Sequence, residues 1–235
     1  VAFATIVAPV VTNPGGTGST IIPTLPTGHV VGDIIKIWVA KTGIAAWSPP
    51  AGWTTRQQTI SSGTSTTGAV GTLLYHRVVV GDTLPLTSPT CNLGATVTRG
   101  AIAWIERDAN IDGVYTAPAW AAFSTATGTA NPVRPATITT VTPDMLVTIC
   151  YCSRSATNAP EQTGYTQTQE IIISGNLVLN VSQQNVAASG TVLANQDASP
   201  TSGVRWVAMI SATPPFILAL VHKRGSFGQD ARLRR

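Results

Sequence analysis

The side chains that most often carry proton transfer, metal binding or thiol chemistry are scarce in this chain of 235 residues: three histidines, ten carboxylates and three cysteines. His29, His76 and His222 lie far apart, and none stands in an HExxH or HxH spacing that would aim two imidazoles at one metal. No GxSxG turn presents a serine, and the Gly-rich runs 13–18 and 61–68 carry no GK[ST] and open no helix, so neither reads as a phosphate cradle. The densest acidic group is Glu106, Asp108 and Asp112 in IERDANIDG, where an apolar strand ends. Its expected reading is a hydrated turn, for which Asp and Gly are suited. A cation site ranks second, and a glycosidase pair third, because that chemistry needs a carboxylate from a distant segment on the facing side. His76, between Tyr75 and Arg77, reads as a surface or satisfied core position, and His222 belongs with the basic residues after it. No catalytic, cofactor-binding or metal-ligating residue is assigned, and no cofactor is expected.

Cys150 and Cys152 stand two apart in an apolar run, which in a strand puts both on one face, where pairing would strain the bond. Together with Cys91 they read as buried thiols behaving as small hydrophobes. Among the six tryptophans, Trp38, Trp104 and Trp206 sit inside apolar strands and are expected in the core. Trp53 follows PPAG and reads as a plug beneath a tight turn. Trp47 and Trp120 lie beside loops and are the candidates for exposed contacts, including stacking on a sugar.

The elements that would position these residues are strands. Charged residues make up 10% of the chain, under half the roughly 25% usual for globular proteins, and this argues against disorder and against coiled coils. The longest apolar run, Phe216–Val221, is far short of the roughly 20 residues that a membrane-spanning helix needs. Short β-branched segments bounded by Gly and Pro turns recur along the chain, the pattern of a sandwich or barrel. Strands are expected over 3–11, 33–41, 53–60, 70–80, 96–106, 144–153, 165–173, 176–184 and 204–212. NPGGTGS reads as a turn, and 117–130, which holds Pro118 and Gly128, as a crossover loop.

The chain also echoes itself. GDIIKIWVA, PPAGWTTRQQT, TLLYHRVVV and RGAIAWIER of the first half return in order as PDMLVTICY, PEQTGYTQTQE, NLVLNVSQQ and SGVRWVAMI. Asp33 aligns with Asp144, Gly52-Trp53 with Gly164-Tyr165, and Leu73 with Leu177. Two copies are too few for a solenoid. They suggest an all-β, jelly-roll-like β-sandwich over 1–215, with halves near 28–112 and 135–213, an N-terminal strand in 1–12, and a basic C-terminal extension over 216–235.

GD before an apolar strand, PPAGWT, a GDT-type turn and GAIAW resemble a β-sandwich group common among tailed-bacteriophage virion proteins, over about residues 28–213. The closing features of that group find counterparts in Thr139-Thr140 before Asp144-Met145-Leu146 and in Val204-Arg205-Trp206. The resemblance implies a virion or surface β-domain, as found in head decorations and tail fibres. The second copy departs from it, with EQTGYT at 161–166 in place of PPAGWT, and the extension from Phe216 lies outside it.

Charge adds a docking element. Residues 1–221 hold nine Lys/Arg and nine Asp/Glu, so the whole net charge of +4 belongs to the last fourteen residues. Lys223, Arg224, Arg232, Arg234 and Arg235, with Phe227, are the expected partner-docking residues. A neutral body offers nucleic acid no basic face. The expected partner is instead a major capsid or other virion protein, with a homo-oligomer as the assembled form. The expected function is a non-enzymatic structural protein on the surface of a phage particle, most simply a head decoration or cement protein. The alternative is a tail-fibre or receptor-binding module that grips host glycan through loop aromatics.

Overall fold

The structure is a computed structural model that describes residues 4–61, 68–109, 122–128, 138–140, 144–154, 164–173, 177–188, 190–192 and 205–215. Among these residues there are thirteen strands and no helix. The first six are β1 (Thr5–Thr12), β2 (Thr17–Ile21), β3 (Ile34–Thr42), β4 (Thr54–Ile60), β5 (Ala69–Arg77) and β6 (Cys91–Arg107). The others are β7 (Ala122–Gly128), β8 (Ile138–Thr140), β9 (Met145–Ser153), β10 (Thr166–Ile173), β11 (Leu177–Val186), β12 (Gly190–Val192) and β13 (Trp206–Thr213). All nine expected strands are present, with ends displaced by a few residues. Two expected loops are strands instead. Thr17–Ile21 lies along the start of β6, and Ala122–Gly128 is the edge partner of β13. Both are Thr- and Ser-bearing segments with little apolar alternation, so it is a neighbour's unpaired backbone that recruits them.

Two antiparallel sheets form a sandwich, in the orders β1-β6-β3-β5-β4 and β10-β11-β9-β13-β7. Between them, Trp38, Leu73 and Ile102 of the first sheet meet Cys150, Val181 and Met209 of the second in one buried cluster. The outer faces are covered as well. Ile35, Ile37 and Val39 pack with Leu25, Trp47 and Leu93, and Val147, Ile149 and Ile210 pack with Ile138 of β8. Cover on both faces explains why β3 and β9 are buried at every position and read as mostly apolar runs. It also corrects the expectation for Trp47. The loop that carries it lies across the first sheet, and the indole is 8% exposed. Trp38, Trp104 and Trp206 are buried as expected, and so are the three free cysteines.

The connectivity is simpler than a jelly roll, which passes strands back and forth between its sheets. Here β1 to β6 stay in or beside the first sheet, and β7, β9, β10, β11 and β13 build the second. If β3, β4, β5, β6 and β1 are matched to β9, β10, β11, β13 and β7, the two sheets have the same strand order. The register of β4 on β5 slips between Thr55 and Gln57, and that of β10 on β11 slips between Gln167 and Gln169, at the same place in each copy. Gly52 and Gly164 both have left-handed φ, +80° and +85°.

Register also revises the alignment in detail. Trp38 pairs with Leu73 and Ile102, while Cys150 pairs with Val181 and Met209, so Trp38 corresponds to Cys150. Along β3 and β9, inward residues of one strand match inward residues of the other, and the paired strands follow that register. Asp144 (φ +61°) therefore corresponds to Gly32 (φ +100°), not to Asp33, and Leu73 corresponds to Val181, not to Leu177.

Candidate functional site

The segments before β3 and β4 and after β5 and β6 converge at one end of the first sheet. Asp33, 2% exposed, organises this end. Its Oδ2 accepts the Val30 N–H at 2.9 Å. Its two oxygens also take a forked pair from Arg107, Nε to Oδ1 at 3.1 Å and Nη2 to Oδ2 at 2.8 Å. Arg107 Nη2 donates further to the Gly28 carbonyl at 2.9 Å. The hydrogen bonds it donates to Asp33 raise the Arg107 guanidinium above its ordinary pKa, as a carboxylate partner must when it favours the charged form. Gly32 occupies the tight corner with φ +100°, a conformation that a side chain would strain. The Asp33 carbonyl accepts from the Val78 N–H, and the Gly32 N–H donates to the Val78 carbonyl, so the loop after β5 is tied to the loop before β3.

A depression of about 320 Å³ lies here, bounded by Val30, Val31, Asp33, Arg77, Arg107 and Asp108. Asp108 sits at the end of β6 with φ +56°. Apolar side chains stand exposed on the same loops: Val30 51%, Val31 52%, Val79 46% and Val80 88%. Asp33 has its oxygens committed to Arg107 and Val30, so it offers anchoring and not proton transfer. The arrangement combines a hydrogen-bonded charged floor with an apolar rim.

Two histidines stiffen the rim. The His29 ring, 7% exposed, bonds the Pro26 carbonyl through Nδ1 at 2.9 Å, and its Nε2 accepts the Leu86 N–H at 2.9 Å. That pattern assigns the proton to Nδ1 in a neutral ring. His76 sits against Trp53, with ring centroids 5.6 Å apart. Its Nδ1 faces the Gly52 carbonyl at 2.9 Å and its Nε2 faces Asp82 Oδ2 at 3.0 Å. The ring thereby bridges the PPAGW turn to the VGDT turn. Asp82 also accepts the Val79 N–H at 2.8 Å. That backbone bond first, and His76 second, hold its carboxyl below the usual carboxylate range.

A carboxylate depressed in the folded state stabilises the fold above its unfolded pKa, and the contribution is lost as pH falls through the folded value. Asp82→Asn is therefore expected to cost about 0.5–1 kcal/mol at pH 7, as befits a partly exposed pair, with the difference from wild type closing once pH falls well below about 4. Urea unfolding of both proteins at pH 7 and pH 3 measures this, and a gap of equal size at both pH values would remove the bridge.

The acidic group singled out in the sequence is split by the fold. Asp108 is at the cleft and Asp112 lies outside the described residues. Glu106 is not in a hydrated turn: it is 0% exposed, between the sheets. Strand alternation turns Arg107 out toward Asp33 and Glu106 in toward Lys36, itself 0% exposed. Lys36 Nζ meets Glu106 Oε1 at 2.6 Å and donates to Thr213 Oγ1 at 3.0 Å. The Trp104 indole N–H donates to the same Oε1 at 3.2 Å, while Glu106 Oε2 has no hydrogen-bond partner among the described residues. Burial lowers the Lys36 pKa, and Glu106 opposes that shift. Beside this cluster, Thr148 and Ser211 of the second sheet share a buried hydroxyl bond of 2.8 Å. In the matched strand order, Thr148 holds the position that Lys36 holds in the first sheet.

Sequence reasoning passed over Asp33–Arg107 and Lys36–Glu106 because each pair joins strands far apart in the chain. A lysine inside the apolar run IIKIWVA was the available signal for the second pair. Trp120, Lys223, Arg224, Phe227, Arg232, Arg234 and Arg235 lie outside the described residues. Among the described residues no group of three His, Cys, Asp or Glu could hold a metal, and no helix is long and apolar enough to cross a membrane. Comparison with protein-family models, curated proteins and solved structures finds no match to this chain.

Proposed function

We propose that this chain is a non-enzymatic structural protein of a bacteriophage particle, a head decoration that docks on the capsid surface and cements it. The observation that carries the docking part of this reading is the apolar rim of Val30, Val31, Val79 and Val80 around a hydrogen-bonded floor. Exposed apolar groups held on rigid loops are what a permanent interface buries, and a pre-organised floor limits the entropy that binding costs. The resemblance of the PPAGWT-bearing pattern to virion β-sandwiches supports the placement on a phage particle. The C-terminal cations Lys223, Arg224, Arg232, Arg234 and Arg235, with Phe227, supply a second attachment, directed at an acidic capsid or other virion protein. Self-association into a homo-oligomer completes the reading. The glycan-binding alternative loses one of its two aromatic candidates, because Trp47 is buried.

The test is a pelleting assay on particles that lack their native decoration, at low and high salt. Deleting 222–235 is expected to weaken occupancy most at low salt, because exposed ion pairs are screened as salt rises. Val31→Asp with Val80→Asp is expected to weaken occupancy at both salts while leaving the fold intact, since both side chains already face water. Full occupancy with either change at both salts would overturn the docking reading.

A further inference from the structure

The structure assigns to Lys36 and Glu106 a self-made covalent link: we propose that the amine and the carboxyl condense into an intramolecular amide that staples β3 to β6. The two residues stand on one face of adjacent strands, with Ile34 opposite Glu106 and Lys36 opposite Trp104. Both side chains are 0% exposed, and the nucleophilic nitrogen lies 2.6 Å from Oε1. Reactants held in such contact behave as if at very high concentration, and the entropic part of the barrier is already met. Burial favours the uncharged amine, the form that can attack.

The groups around the pair match the needs of the reaction. One proton passes from Nζ to Oε1, 2.6 Å away, which gives a neutral amine and a neutral acid. The Nζ lone pair attacks Cδ, and the electrons of the Cδ–Oε2 bond move onto Oε2, while the Trp104 N–H holds Oε1 in place. The proton that Nζ must then shed passes to Oε1, the carboxyl oxygen in contact with it, and the Thr213 hydroxyl, 3.0 Å from Nζ, keeps the nitrogen oriented. Oε1 leaves as water while the carbonyl re-forms at Oε2, which among the described residues no other group holds. The Nζ–Cδ bond forms, the Cδ–Oε1 bond breaks, one water is released, and no oxidant, reductant or outside reactant is needed. The product replaces two charges stripped of water by one neutral amide, which removes their desolvation cost.

The link ties the two central neighbours of the first sheet side by side, so a pull on either strand is carried by a covalent bond and not by hydrogen bonds alone. The test is the intact mass of the purified protein and its tryptic map. The expected result is a mass one water below that of the sequence, with Lys36 refusing trypsin and the peptides of Lys36 and Glu106 recovered as one branched species. Glu106→Ala and Lys36→Arg should both restore the full sequence mass. Glu106→Gln should lose ammonia in place of water wherever the bond still forms. A wild-type protein at full sequence mass with linear peptides, or a water loss mapped to any other residue, would overturn the proposal. The wild-type measurement needs no variant to fold.

Discussion

Replacing Glu106 with leucine is expected to cost about 3–5 kcal/mol of folding stability, because it leaves the Lys36 ammonium buried without its partner. Thr213 Oγ1 still accepts from Nζ, but a hydroxyl does not neutralise the charge. The variant should also acquire a pH dependence of known sign. Burial lowers the Lys36 pKa and Glu106 opposes this, so removing Glu106 leaves desolvation less opposed. With the folded value below the unfolded one, the unfolded chain binds more protons in the window between them, and stability must rise with pH up to the ordinary lysine value of about 10.4. Urea midpoints of Glu106→Leu from pH 7 to pH 10, set against Glu106→Leu/Lys36→Met, measure that slope. Parallel curves for the two proteins would show that Lys36 is not the buried charge responsible.

Trp38 and Gly71 form the second strongly coupled pair. The indole of Trp38 is 0% exposed, and its N–H donates across the sandwich to the Tyr151 carbonyl at 3.0 Å, which fixes its orientation. Gly71 of β5 lies directly against that ring, and a Cβ placed there would run into the six-membered part of the indole. Trp38→Ala is expected to cost about 3–5 kcal/mol through lost contact and cavity. Gly71→Ala, a change that removes no contact, should cost about 1–3 kcal/mol, because a ring held at both ends has little room to give. In a Trp38→Leu background the obstacle is gone and the cost of Gly71→Ala should fall, with a coupling of about 0.5–3 kcal/mol in the double-mutant cycle. Thermal or urea unfolding of the four proteins tests this, and additive losses would mean that Gly71 is required for some other reason.

Gly71 was not legible as a packing position, because glycine in a strand looks the same whether it makes room for a ring or merely weakens the ladder. Gly52 and Gly164 were legible, because each precedes an aromatic residue at the same distance from its strand, and a positive φ is a local demand that local sequence can announce.

By itself the sequence determined the β class, the central strands, and the burial of Cys91, Cys150 and Cys152. These follow from nearest-neighbour chemistry: β-branched runs and turn residues at their ends. Only the tertiary structure decided which face of IIKIWVAKT looks into the sandwich. A strand covered on both sides carries no polar face to mark its orientation, so the run alone does not say which side of the sheet Lys36 faces. The same reason hid Glu106, whose neighbour Arg107 turns out to Asp33, 74 positions away in the chain. Trp47 was misread because its burial depends on a loop lying across the sheet and on Gln58, whose amide donates to the Trp47 carbonyl at 3.0 Å and accepts its N–H at 3.3 Å. Pairings across long loops are settled by sheet register and by what covers a face, and both arise only when the strands have found their partners.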